Sequence, residues 1–444
     1  MMQHFLKQRK RLERLKHLGI LQHSKPSLHL NKSAEPAQVE GPWPQLDATT
    51  TQNGPIRKTS RLALSLPLRI LTATVLVLSL AATPLYAAAP PKMVVIMDDM
   101  NRSYLPIRLL NGFDGMSMSY DAPSKQIRIA KGDKEIILTT GSKTALVNQE
   151  RVELPSAPFT EQGNTYVPIQ LMKEQLGLAI TWNQDASSSV RIQSGEHKTT
   201  LPFIKGTSAL SSSKPVESSA RTFKVGSRSF STQIVTVSLL HPKVQLDVAL
   251  AGNTVGKVQD LKQIAKANQA VVAINGTFFD AYTTSSFKTP YGYIVSGGEV
   301  LKASSGDRRT IFMYDKNHLA ELIPGLELGE RFKQGTMEGA LQAGPRLVTN
   351  GKVSIDVTKE GFKDPKILTG GGARSALGIT KDHKLILLTT GGATIPQLAE
   401  IMKQAGAYQA MNLDGGASSG LYYNGKYLTT PGRQISNAII VTTN

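Results

Sequence analysis

The stretch Thr394–Ser419, TIPQLAEIMKQAGAYQAMNLDGGASS, decides how the C-terminal half of this 444-residue chain is read. Thr394 and then Pro396 mark a helix start, because a proline in the first turn gives up only an N–H that has no helical partner there. Leu398, Ile401, Met402 and Ala405 follow at spacings of three and four and form one apolar stripe. Gly406 closes the helix, and the apolar run beyond it stops at Asn412-Leu-Asp414-Gly-Gly416. The same order of signals occurs upstream. Val258, Leu261, Ile264 and Ala265 share a face over Val258–Ala267, and the strand Ala270–Ile274 ends at Asn275-Gly276. Twice, a helix feeds a strand that terminates in a polar residue and glycine, and in α/β folds ligands bind at such strand ends. Asn350-Gly351 and Asn424-Gly425, each between strand-like runs, predict hairpins. The expected fold of 222–444 is therefore α+β or mixed α/β, with helices packed on a mixed sheet.

The polar residues that could do chemistry gather in glycine-rich clusters. These are Asn275-Gly-Thr-Phe-Phe-Asp280, Gln342-Ala-Gly-Pro-Arg346, Gly370-Gly-Gly-Ala-Arg374-Ser-Ala-Leu-Gly378 and Asn412-Leu-Asp414-Gly415-Gly416-Ala-Ser418-Ser419, followed by Arg433 and Asn437. Glycine lets backbone approach a ligand closely, and arginine offers a planar fork to phosphate or carboxylate. Singly, Asp414 before Gly-Gly is more often a turn former, Arg374 reads equally as a surface residue and Asn275 as a strand cap. Together they fall in one domain and mostly at strand ends.

Two other chemistries meet obstacles. Gly416-Ala-Ser-Ser-Gly420 has the spacing of a nucleophile elbow, which needs a helix after the serine and then an acid and a histidine. Here the hairpin-like LYYNGKY follows, and residues 420–444 contain no Asp, Glu or His. Metal catalysis lacks ligands, since His241, His318 and His383 are scattered. With no cysteine in the chain, disulfides, thiolate metal sites and cysteine nucleophiles are excluded. No cofactor is expected.

Composition adds the setting. The chain is 40% hydrophobic and 19% charged, which suits two or three globular domains. Its net charge is +18, but the first 69 residues alone carry 12 Lys and Arg against 4 Asp and Glu. That skew argues against nucleic acid as the partner of the folded part. Residues 1–69 read as a basic cytoplasmic leader, disordered over 22–60, where Ser, Pro, Thr and Gln dominate. Residues 70–89, ILTATVLVLSLAATPLYAAA, are uncharged, follow Arg57, Lys58, Arg61 and Arg69, and end in three alanines. They predict a signal peptide or a membrane anchor, with everything after residue 90 extracytoplasmic in a bacterial cell envelope.

Residues 93–204 repeat internally. Ser103-Tyr-Leu-Pro-Ile-Arg-Leu109 returns 62 residues later as Thr165-Tyr-Val-Pro-Ile-Gln-Leu171, each copy running into a short helix and an alternating hairpin. This small α+β module resembles the N-terminal stalk domain of copper amine oxidases. It reads as a spacer or cell-wall association module, with a generic adaptor as the alternative, and its one histidine, His197, offers no metal set. The Ser-rich stretch within 205–221 reads as a flexible linker to an independent domain.

Taken in order, NGTFFD, LQAGPRL, ARSALG, NLDGGASS and the terminal RQISNAIIV resemble the phosphodiester glycosidase family, whose bacterial relatives are associated with exopolysaccharides. Ala417 stands where the family pattern carries glycine. The resemblance implies a hydrolase that cleaves a sugar-1-phosphodiester in a glycan or glycopolymer. A phosphate leaves as a stable anion, so cationic clamping and one carboxylate do the work that two carboxyls share in ordinary glycosidases. Asp414 is then the base or nucleophile and Arg374 the phosphate clamp, with Arg346 and Arg433 as second choices. Asn275 would bond the sugar or orient Asp414, and Asp280 or Glu338 would supply any second carboxyl. Gln342, Gly415, Gly416, Ser418 and Asn437 complete the substrate-binding set. The alternative is a non-catalytic envelope protein that binds glycans in the same pocket.

Overall fold

The computed structural model describes residues 91–183, 187–206 and 214–443. The leader, the apolar run 70–89 and residues 207–213 of the expected linker lie outside the described residues. No helix among the described residues is long and apolar enough to cross a membrane.

The repeat has a structural cause. Its two copies pair with each other antiparallel, Tyr104 opposite Pro168, Leu105 opposite Val167 and Pro106 opposite Tyr166. The equivalent residues are thus exchanged about a local two-fold axis between Leu105 and Val167. Each copy then turns into a helix that starts at its proline, a 3-10 turn at Ile107–Leu110 and an α-helix at Ile169–Leu176. A seven-stranded sheet holds this pair, and its Val95–Met97 strand runs parallel to His197–Lys205. The second sheet is a five-stranded meander from Ser117 to Glu153. Leu105, Val167, Ile129, Ile136 and Val190 share the core between them.

The C-terminal part is richer in strand than the sequence reading, and its strands pair antiparallel wherever a ladder is described. Helices are few, so the expected fold holds in part: helices do pack on sheet here, but the sheets of this part are three antiparallel ones. The seven-stranded sheet begins with Val216–Val225, inside the stretch read as linker, and that strand pairs along its whole length with Arg228–Ser238. Both faces of this sheet's inner strands are buried. Val235, Val237, Leu385 and Leu387 belong to a central core, while the alternate residues Ile234, Ile386 and Leu388 belong to a second core on the other face.

The central core is shared by all three sheets. Val272, Ile274 and Ile439 reach it from the five-stranded sheet of Val244–Leu250, Asn437–Thr443, Val272–Asn275, Leu421–Tyr423 and Lys426–Thr429. Ile294, Phe312 and Leu341 reach it from the sheet built on Ile294–Ser296, Ile311–Asp315 and Met337–Gln342. Helices close the outer faces of two sheets. Ile395–Gln404, with the capping box Thr394/Gln397, lays Leu398, Ile401 and Met402 on the first. Leu261–Ala267 lays Leu261, Ile264 and Ala265 on the second. Burying each such large aliphatic side chain contributes roughly 1.5–3 kcal/mol. Both Asn-Gly hairpins form, with Asn350, Gly351, Asn424 and Gly425 all at positive φ.

The two modules meet in a buried seam. Lys92 Nζ donates to the carbonyls of His241 and Val244 at 2.8 and 2.7 Å. The His383 ring contacts the carbonyls of Ser188 and Phe203 at 2.8 and 3.2 Å, and Leu240 packs with Val94, Ile96, Tyr104 and Tyr166. The scattered histidines are therefore seam and core residues: His318 Nδ1 lies 3.0 Å from the Leu239 carbonyl.

Candidate active site

The two helix-to-strand units bring their polar ends together. Asn275, 1% exposed, donates from Nδ2 to the Asp414 carbonyl at 2.7 Å. Its Oδ1 accepts from the Ser375 hydroxyl at 2.7 Å and from the Gly420 N–H at 3.0 Å. The Asp414 N–H returns a bond to the Gly276 carbonyl at 3.0 Å. Both polar atoms of the Asn275 side chain are thus spent on holding the loop around Asp414. Gly276 permits this closeness, since a Cβ there would collide with Asn437 Oδ1 and stand 2.6 Å from Leu341 Cδ1. Asn437 Oδ1 in turn accepts the Thr277 N–H at 2.9 Å, which sets the same turn.

The Asp414 residue is half-buried, and burial of its carboxyl pushes the pKa up from 3.8 to about 7. Hydrogen bonds from Ser418 and from the Gly415 N–H, the latter at 2.9 Å, and the charge of Arg433 oppose that rise. A carboxyl so poised exchanges its proton near neutrality, as a general base must. Gly416 takes positive φ, whereas Ala417 is not among the residues that do, so its methyl is tolerated.

Arg374 lies deeper than a clamp on an open surface would. It is 4% exposed, and its Nε donates to the Ala393 carbonyl at 2.9 Å. Nη2 donates to the carbonyls of Lys366 and Gly370, both at 2.7 Å. The remaining nitrogen, Nη1, faces Gly415, where a Cβ would come within 3.7 Å. Burial lowers the Arg374 pKa, with Asp364 opposing. Its geometry braces the Gly415 loop from beneath.

Arg433 stands at the mouth. Its guanidinium lies over the Tyr282 ring, 4.8 Å from the centroid, and Nη2 donates to the Tyr282 hydroxyl at 2.9 Å. A cleft of about 390 Å³ opens here, lined by Phe279, Tyr282, Lys288, Ala417 and Arg433.

Other expected site residues lie elsewhere. Gln342 is fully buried, accepts the Tyr293 N–H at 3.0 Å and donates to the Arg309 carbonyl at 2.9 Å. The Arg346 side chain bonds Gln409 at 3.2 Å, at the opposite end of the strand from Asn412. Asp280 sits between the cleft residues Phe279 and Ala281, but its carboxyl accepts the Thr283 N–H at 3.2 Å. Glu338 lines a separate cleft with Asp247. Tyr282 and Ser375 were missed by sequence reasoning. Ser375 follows Arg374 directly, and Tyr282 follows the NGTFFD cluster by two residues, which is the only signal either carries.

This is an antiparallel β domain with a carboxylate on a glycine loop beside a cationic cleft. Residues 268–442 match the family model of phosphodiester glycosidases, and residues 86–192 match that of the copper amine oxidase N-terminal domain. Residues 268–442 are thus similar to a phosphodiester glycosidase domain, and residues 86–192 ahead of them to a stalk-type module. Among solved structures the chain is similar to the zebrafish N-acetylglucosamine-1-phosphodiester alpha-N-acetylglucosaminidase catalytic domain auto-inhibited by its pro-peptide. The identity is 22%, over 53% of this chain and 85% of that one, with a TM-score of 0.46. A hypothetical protein from Synechocystis is 14% identical over 81% of this chain and 100% of its own, with a TM-score of 0.46. A putative exported protein from Burkholderia pseudomallei K96243 is 12% identical over 74% and 96%, with a TM-score of 0.35. No curated protein matches the chain.

Proposed function

We propose that the chain hydrolyses a sugar-1-phosphodiester in an extracytoplasmic glycan or glycopolymer, with Asp414 as general base. The observation that carries this reading is the Asp414 carboxyl, raised to about 7 on a loop fixed by Asn275 beside Arg433. The phosphate leaves as an anion and needs no proton, so one carboxylate that activates water at the anomeric carbon is sufficient. Arg433, at the mouth and tied to Tyr282 through Nη2, takes the phosphate with its remaining donors. Arg374, spent on three carbonyls, positions the loop. The basic flank ahead of residues 70–89 supports an extracytoplasmic setting.

Release of N-acetylglucosamine from its methyl 1-phosphodiester tests the reading. Because the base must be ionised, release should climb as pH rises through about 7. Absence of release from this and other sugar-1-phosphodiesters refutes the proposal.

A further inference from the structure

The loop beside the cleft carries more apolar surface than one sugar needs. Tyr282, Phe287 and Tyr291 are 76%, 50% and 43% exposed, and all three stand on the segment between Asp280 and Gly292. Exposed rings grouped on one loop are the informative exception to apolar burial.

The loop is held stiffly. The Asp280 carboxyl accepts the Thr283 N–H, the Thr283 hydroxyl accepts the Ser285 N–H, and the Ser285 hydroxyl accepts the Phe287 N–H. Asp280 N–H bonds the Thr289 carbonyl at 2.8 Å, and Lys288 N–H bonds the Gly256 carbonyl at 2.7 Å. Phe287 sits over Gly256, where any Cβ would collide with the ring. Arg433 fixes the plane of Tyr282 from one side. Side chains ordered in advance bind without the entropy cost of immobilising them.

We infer that this loop is an extended subsite for an anionic glycopolymer, whose further sugar rings stack on Phe287 and Tyr291 beyond the cleft. The inference rests on the function proposed above and names the residues that engage a polymeric substrate beyond the sugar being cleaved. Flat rings suit the apolar faces of pyranoses. Lys288 and Arg433, both lining the adjoining cleft, suit the phosphates between them.

The test measures affinity of the full chain for two probes. One is an oligomer of N-acetylglucosamine joined through 1-phosphodiester links, and the other is the methyl 1-phosphodiester of the single sugar. In the Phe287→Ala/Tyr291→Ala variant, the preference for oligomer over monomer should fall about tenfold. Tyr120→Ala, which removes an exposed ring on the stalk module, serves as the control and should leave the preference intact. Phe287→Leu keeps an apolar side chain over Gly256 and should retain the melting temperature while losing preference. An unchanged preference, an equal loss for both probes, or no oligomer binding by the parent protein overturns the inference. Because the readout is binding, failure to cleave the monomer counts against the proposed function and not against the subsite.

Discussion

Asp414→Asn separates a working carboxyl from a turn former. Burial raises the native pKa from 3.8 to about 7. At about 1.4 kcal/mol per tenfold change in proton affinity, charging the native carboxyl costs about 4 kcal/mol more than charging it in the unfolded chain. Water reaches the half-buried group and screens it, which brings the cost to about 2 kcal/mol. The sign follows from the raised value. Native protein keeps its proton to higher pH than the unfolded chain, so stability falls as pH rises from 3.8 through about 7 and levels off above. Asparagine carries no such cost. Thermal unfolding followed by circular dichroism should show the variant level with the parent at about pH 4 and about 4–8 °C more stable at about pH 8. Turnover should be abolished in the same variant while the monomer probe still binds. A melting difference independent of pH refutes the raised pKa, and normal turnover refutes the catalytic role.

Arg374→Lys strips donors from one buried and two partly buried carbonyls, at about 1–3 kcal/mol for the buried one and less for the others, so melting temperature and turnover should fall together. Arg433→Ala should instead keep the melting temperature and lower kcat/KM by about 10²–10³; an unstable Arg433 variant or a stable Arg374 variant reverses the assignment. Gly276→Ala forces a methyl against Asn437 and Leu341 and should destabilise by about 1–3 kcal/mol, read by denaturant unfolding, with turnover reduced as the Asn275–Asp414 link shifts. Burial holds His318 neutral, its pKa lowered from 6.5 to about 3, so its contribution is present above 6.5 and lost as pH falls toward 3. Protection of the Leu239–His241 amides, the intrinsic exchange rate over the observed one, should fall as pH drops across that window, and protection that stays constant contradicts it.

Local patterns were legible because they depend on neighbours a few residues away. The helix after Thr394 needs its cap, its proline and its stripe, all within a few turns, and it formed with Gln397 completing the cap. The Asn-Gly hairpins need only two residues that accept positive φ. Val216–Ala220, read as linker, is polar and Ser-rich, and only pairing with Arg228–Ser238 makes it a strand.

The sequence by itself marked the strand-end residues Asn275 and Asp414, the repeat about Tyr104 and Tyr166, and the family resemblance. Only the tertiary structure decided what each side chain faces. Asn275 and Asp414 are 139 residues apart, and no local spacing shows that one holds the other. Arginines at 346, 374 and 433 look alike in a chain, yet one bonds Gln409, one is enclosed by three carbonyls and one stands over Tyr282 at the cleft. The seam that joins the modules was equally hidden, because Lys92 finds its carbonyl partners about a third of the chain away. Hydrogen bonds and burial act through space, and the order of residues along the chain does not state which of them folding will bring within about 3 Å.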